Sequence, residues 1–233
     1  GTVTNGTGTI AVTNTMTVSG GGSVTTGTFS AGSYALSGGV VNAALAGSGV
    51  VTVTGDTRLG GANTFPGAVN VNSGTLRAES TGALGSTAGS TTVASGASLH
   101  LYSTGGTLTI NEALNLTGTG VSNSGALQST GTVTLTTGVT LAGNTRIVTN
   151  SGSTFTLSDT STGIVGSSGN YDLTLAGAGD MTVSGPINLG TGTLTKGVTG
   201  TLTLSGALTV GSITDLNRAT IAADITTSNN QTY

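Results

Sequence analysis

The stretch Gly200-Thr-Leu-Thr-Leu204, followed at once by Gly206-Ala-Leu-Thr-Val210, decides how the chain folds. Behind each leading glycine, aliphatic residues alternate with small or hydroxyl residues. A period of two belongs to an extended strand, whose successive side chains point to opposite sides. Leu202 and Leu204 therefore face a core, and Thr201 and Thr203 face water. The same Gly-x-Φ-x-Φ form, with Φ aliphatic, recurs as Gly8-Thr-Ile-Ala-Val12, Gly49-Val-Val-Thr-Val53 and Gly67-Ala-Val-Asn-Val71. It returns as Gly106-Thr-Leu-Thr-Ile110, Gly131-Thr-Val-Thr-Leu135 and Gly179-Asp-Met-Thr-Val183. Helix-period patterning is absent, and glycine is too frequent to leave room for a long helix. Each strand is short and ends in Gly, Asn-Gly or Ser-Gly turn chemistry. The fold class is all-β.

The spacing of these units selects the architecture. They recur 18 residues apart (49 to 67), 25 apart (106 to 131) and 21 apart (179 to 200). Self-similarity at a loose period of this size marks a solenoid, in which each coil buries its inner face against its neighbours. A sandwich is the competing architecture, but its core is normally filled by large residues from two sheets. Here the inward residues are Val, Leu, Ile and Ala, and no aromatic cluster marks a central plug. The sequence predicts a parallel β-helix of roughly 11 rungs of about 20 residues, a rod about 50 to 55 Å long. Outward Thr, Ser and Asn should stack on their counterparts one rung away, as in the ladders of cross-β stacks.

Composition narrows the function classes. Of 233 residues, 42 are glycine and 50 are threonine; 6% are charged, 3% are aromatic, and Cys and Trp are absent. That excludes a disulfide scaffold, a Cys-ligated zinc site and a cysteine nucleophile. With five basic residues and a net charge of −3, the surface cannot hold a phosphate backbone, so no nucleic-acid partner is expected. No run of about 18 apolar residues occurs, so no transmembrane helix is expected. Three Phe and four Tyr are too few for the aromatic girdles of a membrane barrel. No basic and apolar leader opens the chain, so the expectation is a segment of something longer, its export signal removed or elsewhere. Residues 1–55 carry no charge, yet Thr-Val-Thr alternation crosses position 56 unbroken and no linker stands out. Residues 1–233 read as one open-ended solenoid domain.

Two stretches go beyond generic alternation. One is Gly61-Ala-Asn-Thr-Phe-Pro-Gly-Ala-Val-Asn-Val-Asn-Ser-Gly-Thr-Leu76, with Gly82-Ala-Leu-Gly-Ser86 and Val93-Ala-Ser-Gly-Ala-Ser-Leu-His-Leu101 behind it. The other is Gly192-Thr-Leu-Thr-Lys-Gly-Val-Thr-Gly-Thr-Leu-Thr-Leu-Ser-Gly206. Both resemble the autotransporter-associated β-strand repeat found in passenger regions of type V secreted proteins. The chain as a whole, including Tyr171-Asp-Leu-Thr-Leu-Ala-Gly-Ala-Gly-Asp-Met-Thr-Val183, resembles repeat tracts of filamentous-haemagglutinin-like adhesins. The resemblance implies a right-handed parallel β-helix, export as an unfolded chain, and display on the surface of a Gram-negative bacterium. Asn230-Gln-Thr-Tyr233 looks like the opening of a further repeat. Pro66 departs from the repeat, which often has a small or hydroxyl residue there. A proline suits a corner or a strand's first residue.

Candidate chemistry is sparse. His100, the single histidine, lies between Leu99 and Leu101, which puts it on the outward face without an evident partner. Ser153 sits in no nucleophile elbow. The carboxylates Asp56, Glu79, Glu112, Asp159, Asp172, Asp180, Asp215 and Asp224 are scattered at most one per rung. A polysaccharide-active β-helix needs two or three of them together; rung stacking could bring Asp159 and Asp180 onto one face, whereas Asp172 and Asp180 belong on different faces. Gly177-Ala-Gly-Asp180 fails the tandem spacing of a calcium-binding nonapeptide repeat. Arg77 with Glu79, and Asp215 with Arg218, read as solvated pairs. The sequons at Asn5, Asn115 and Asn230 are those expected by chance in a Thr-rich chain. Thr52–Thr54, Thr107–Thr109, Thr132–Thr134, Thr193–Thr195 and Thr201–Thr203 could form an ice-binding array, though uneven rung length argues against one. No catalytic, cofactor-binding or metal residue is assigned, and no cofactor is expected. The reading is a non-enzymatic stalk or contact segment of a surface-displayed or secreted repeat protein. Its expected partners are neighbouring repeats, further copies end to end or side by side, and a host or abiotic surface or a glycan. A self-assembling extracellular filament is the alternative, ahead of a polysaccharide-active enzyme or an ice-binding solenoid.

Overall fold

A computed structural model of the chain describes residues 1–168, 170–214, 219–222, 224–227 and the backbone of 231–232. Twenty-five strands join in one sheet and every pairing is parallel, giving a β-solenoid of about ten turns with a single three-residue 3-10 segment, Val121–Asn123. At about 4.8 Å per turn the rod is about 48 Å long. One fewer turn forms than a 20-residue rung implies, because the turns are unequal. On one face the step is 17 residues from Tyr34 to Val51, grows to 25 from Leu114 to Val139, and returns to 17 from Leu208 to Ile225.

Each turn contributes to three faces. The first runs through Gly39–Val41, Thr57–Leu59, Thr75–Ala78, residues 98–101, 127–129 and 147–149, Leu173–Gly177, Thr193–Val198 and Ser212–Thr214. The second stacks residues 107–110, 132–135, Thr154–Leu157, Asp180–Val183, Leu202–Leu204 and Ala219–Ile221. The third stacks Val50–Val53, Val69–Val71, Thr91–Val93, residues 114–116 and 139–141, Ile164–Gly166, Ile187–Asn188 and Leu208–Val210. Inward positions form continuous columns such as Leu108–Val133–Phe155–Met181–Leu202, none more than 5% exposed. Apolar burial drives this arrangement, and the parallel ladder satisfies the backbone groups that stacking removes from water.

The narrow early turns depart from the expectation of an aromatic-free lumen. Phe29, Tyr34 and Phe65 are all buried there, with the Tyr34 and Phe65 rings 6.1 Å apart. The Tyr34 hydroxyl accepts from the Ala31 and Ala46 amides at 3.1 Å each and lies against the Phe29 and Ala46 carbonyls. Burial pushes its pKa up, with the Ala31 and Ala46 amides opposing. Residues 62–66 form no strand. There the Asn63 side chain accepts from the Leu45 amide at 2.8 Å and donates to the Ala83 carbonyl at 2.7 Å, so a buried amide ties three turns together. Pro66 occupies the corner beside it, exposed and outside any strand, as a residue without an N–H must.

Leu202 and Leu204 are 0% and 1% exposed, while Thr203 lies outward between Thr182 and Thr220. Leu202→Asp or Leu204→Asp buries an unpaired charge and is expected to cost several kcal/mol in urea unfolding. Thr203→Asp is expected to cost at most about 1 kcal/mol. Equal damage from all three would reverse the inside–outside assignment.

Candidate functional site

Charged and aromatic side chains converge at one place, the outer side of the first face. The register sets Arg58, Arg77, His100 and Gln128 in one outward column over successive turns. Two residues further along, on the same outward side, Glu79 and Tyr102 adjoin, and Tyr102 pairs with Thr130. Two arginines on neighbouring strands repel, and Glu79 resolves the conflict. Arg58 donates from Nε to Glu79 Oε1 at 2.9 Å and from Nη2 to Oε2 at 2.8 Å, a two-pronged charge-assisted contact. Arg77 Nε approaches Oε1 at 2.5 Å as an ion pair without hydrogen-bond alignment. Burial works against the Glu79 carboxylate, but the Arg58 hydrogen bond and both guanidinium charges outweigh it and hold its pKa below the usual value. Arg77 and Glu79, expected as a solvated pair, are two members of a three-charge stack.

The remainder of the cluster is aromatic and amide. The Arg77 guanidinium carbon stands 3.4 Å from the centre of the Tyr102 ring, a cation–π contact. His100 meets the same ring edge-on at 5.4 Å. Thr130 Oγ1 accepts from Asn150 Nδ2 at 2.8 Å and shares a hydrogen bond with His100 Nε2, also at 2.8 Å. Burial and then the Arg77 charge push the His100 pKa down, and Glu79 partly offsets them. His100 is outward as its strand alternation requires, but it has the partners that sequence reading did not find.

Two corner insertions bracket this cluster. Tyr102 and Thr107 pair with Thr130 and Thr132, so residues 103–106 bulge on one side. On the other side, residues 119–125 form a loop whose Ser124 accepts from Gln128 Nε2 at 2.9 Å. Beside Arg58 and Arg77 runs an open groove of about 360 Å3, walled by Gly21, Gly39, Asp56 and Thr75.

The remaining acids do other work. Asp180 pairs with Thr154, and Asp159 lies beyond that strand, so stacking does not join Asp159 to Asp180 as the 21-residue interval suggested. The interval instead sets Asp180 beneath the Thr201 amide, which donates to it at 2.7 Å. Asp56 accepts from the Thr75 amide and Asp172 from the Thr193 amide, both at 2.8 Å. All three are corner clasps between turns. Asp172 and Asp180 do belong to different faces. Asp159 closes its own turn, accepting from the Ser161 amide at 2.9 Å. Ser153 is structural, accepting from the Gly131 amide at 2.9 Å. Asp215 with Arg218, and the sequon at Asn230, lie outside the described residues.

Two inward charges were overlooked although their phase was visible. Glu112 alternates with Ile110 and Leu114, and Lys196 with Leu194 and Val198; they are 3% and 4% exposed. Lys196 Nζ donates to the Val198 carbonyl at 2.5 Å. The Glu112 carboxyl has, among the described residues, only the Thr91 hydroxyl, at 3.5 Å.

The second face carries three of the five expected threonine pairs, whereas Thr52 lies on the third face and Thr193 and Thr195 on the first. Thr109, Thr134, Thr156, Thr182, Thr203 and Thr220 form one column over six turns, beside Thr107, Thr132, Thr154, Asp180 and Thr201. Uneven turn length does not disturb it, because the extra residues leave at the corners.

Among the described residues, no three His, Asp or Glu side chains are grouped to hold a metal ion, and no helix is long and apolar enough to cross a membrane. Comparison with family models, with curated proteins and with solved structures returns no match.

Burial raises the Glu112 pKa from about 4.5 to about 7, and Thr91 opposes weakly. Below pH 4.5 the carboxyl is protonated in both folded and unfolded chains and costs nothing. As pH rises from 4.5 to 7 the unfolded chain releases this proton first, so the folded state loses stability, about 3 kcal/mol in full. His100, its pKa lowered, acts oppositely in the neighbouring range, so the informative quantity is a difference. Glu112→Gln is expected to gain on the wild type by this amount between pH 4.5 and 7.5 in urea unfolding. A pH-independent difference would contradict the buried-acid assignment.

Proposed function

We propose that this chain is a non-enzymatic segment of a large repeat protein displayed on, or secreted from, a Gram-negative bacterium, serving as a rigid stalk and contact surface. The observation that carries the reading is the uninterrupted parallel stacking of about ten turns with their irregularities expelled to the corners. A continuous backbone ladder along a rod resists bending. Neighbour-to-neighbour stacking lets folding propagate from a formed end, which suits a chain exported unfolded. Among the described residues, six acids serve in corner clasps, an Asx turn, an arginine pair or a buried position, which is structural employment. The surface partner is a glycan or a host or abiotic surface. The resemblance to autotransporter and haemagglutinin-like repeats supports the same placement.

A filament-forming reading draws on one observation. Thr2–Ser19 pairs on one side only, with Ser23–Ser37, and exposes Val3 at 48% and Ile10 at 37%. An unpaired strand edge of this length can template another chain. Light scattering of the isolated 233-residue chain separates the two. A stable monomer is expected, and indefinite end-to-end growth would favour the filament. The display reading is tested by immunogold labelling of intact producing cells with an antibody to this segment. Gold outside the outer membrane is expected; labelling only after lysis would overturn the reading.

A further inference from the structure

The groove beside Arg58 and Arg77 has features that a spacer does not need. Of the chain's five basic residues, two stand side by side here and share one carboxylate. Glu79 occupies Nε and Nη2 of Arg58 but only Nε of Arg77. The terminal Arg77 nitrogens have no partner among the described residues and remain open to solvent. Also lining the groove, Asp56 accepts the Thr75 amide with Oδ1, and its Oδ2 has no hydrogen-bond partner among the described residues. Gly21 and Gly39 line the depression, and a Cβ on Gly21 would meet nothing within 4 Å, so that side stays open. A Cβ on Gly39 would lie 2.2 Å from the Gly22 carbonyl oxygen, and its φ of +106° disfavours any other residue, so the backbone there is held close to the preceding turn.

We infer that this groove binds an acidic saccharide, with a uronic-acid carboxylate on Arg77 and adjacent sugar hydroxyls on Asp56. The planar guanidinium, fixed against Tyr102 and Glu79, presents its free edge as a preorganised fork for a carboxylate. Arg58, Arg77 and Glu79 together leave one positive charge, which Asp56 balances. A monocarboxylate that also donates hydroxyls matches this wall. An inorganic sulfate or phosphate brings charge without a hydroxyl donor for Asp56. A volume of about 360 Å3 fits a sugar unit or two and is too small for a folded partner. His100 and Tyr102, bracketed by the 103–106 and 119–125 insertions, extend the surface along the next turn. The inference names the contact made by the proposed surface segment and rests on that reading only for where the ligand is met.

The test is calorimetric titration of the isolated chain with tetragalacturonate, maltotetraose, a sulfated maltotetraose and sodium sulfate. Tetragalacturonate is expected to bind at least about tenfold more tightly than each of the others. Arg77→Gln should weaken it by about tenfold or more, and Asp56→Asn by a smaller factor. Arg146→Gln, on the same face outside the groove, should change nothing. Since Arg77 also packs on Tyr102, Arg77→Lys keeps the charge and removes the fork. A similar loss with an unchanged melting temperature assigns the effect to recognition. Equal binding of maltotetraose, equal or tighter binding of the sulfated maltotetraose or of sulfate, or indifference to Arg77→Gln and Arg77→Lys would each overturn the inference. Binding by the isolated chain without cell-surface labelling overturns the display reading alone. Surface labelling without binding overturns this inference alone.

Discussion

Every turn of this chain must meet the previous one with its backbone hydrogen-bonded in parallel and its inward aliphatics in register, and the rest of the structure accommodates that demand. Columns such as Leu108–Val133–Phe155–Met181–Leu202 cross turns of unequal length without slipping. A one-residue slip would turn each inward residue outward. The chain therefore varies its corners and keeps its faces constant, and insertions such as 103–106 and 119–125 leave the stack sideways.

The scarce polar groups serve the same constraint. Asp56, Asp172 and Asp180 each accept an amide from the next turn, where a corner interrupts the ladder. Asn63 works from inside, accepting the Leu45 amide of the preceding turn and donating to the Ala83 carbonyl of the next, in place of a strand at 62–66. These are local repairs to backbone pairing, and they explain why acids recurring at a solenoid interval need not share a site. Glu112 and Lys196 are the exceptions, charged groups held at inward positions with one weak or one short contact each. Burying such groups costs stability.

The first face differs from the others in kind. Elsewhere the outward columns are mainly threonine and asparagine, as in Thr52–Asn70–Thr92–Asn115–Thr140. Here two guanidinium groups, a carboxylate, an imidazole and a phenol interlock beside a glycine-lined groove. Stacking alone gives no reason to place Arg58 directly beside Arg77, since like charges on adjacent strands are unfavourable. The free edge of Arg77 is what that arrangement leaves for a ligand.

The alternation of Gly200-Thr-Leu-Thr-Leu204 and its relatives was enough to determine strand, inside and outside, and solenoid, because burial on a pleated strand imposes a period of two that is visible residue by residue. It also carried the inward phase of Glu112 and Lys196, which reading by residue type obscured. The number of turns, the partners of Asp180, the aromatic packing of Tyr34 with Phe65, and the meeting of Arg58, Glu79 and Tyr102 were decided only by the tertiary structure. Those contacts join residues about 20 to 30 apart, and their register depends on how many residues each corner expels. Corner length is settled by three-dimensional fit between successive turns, which no local period in the sequence records.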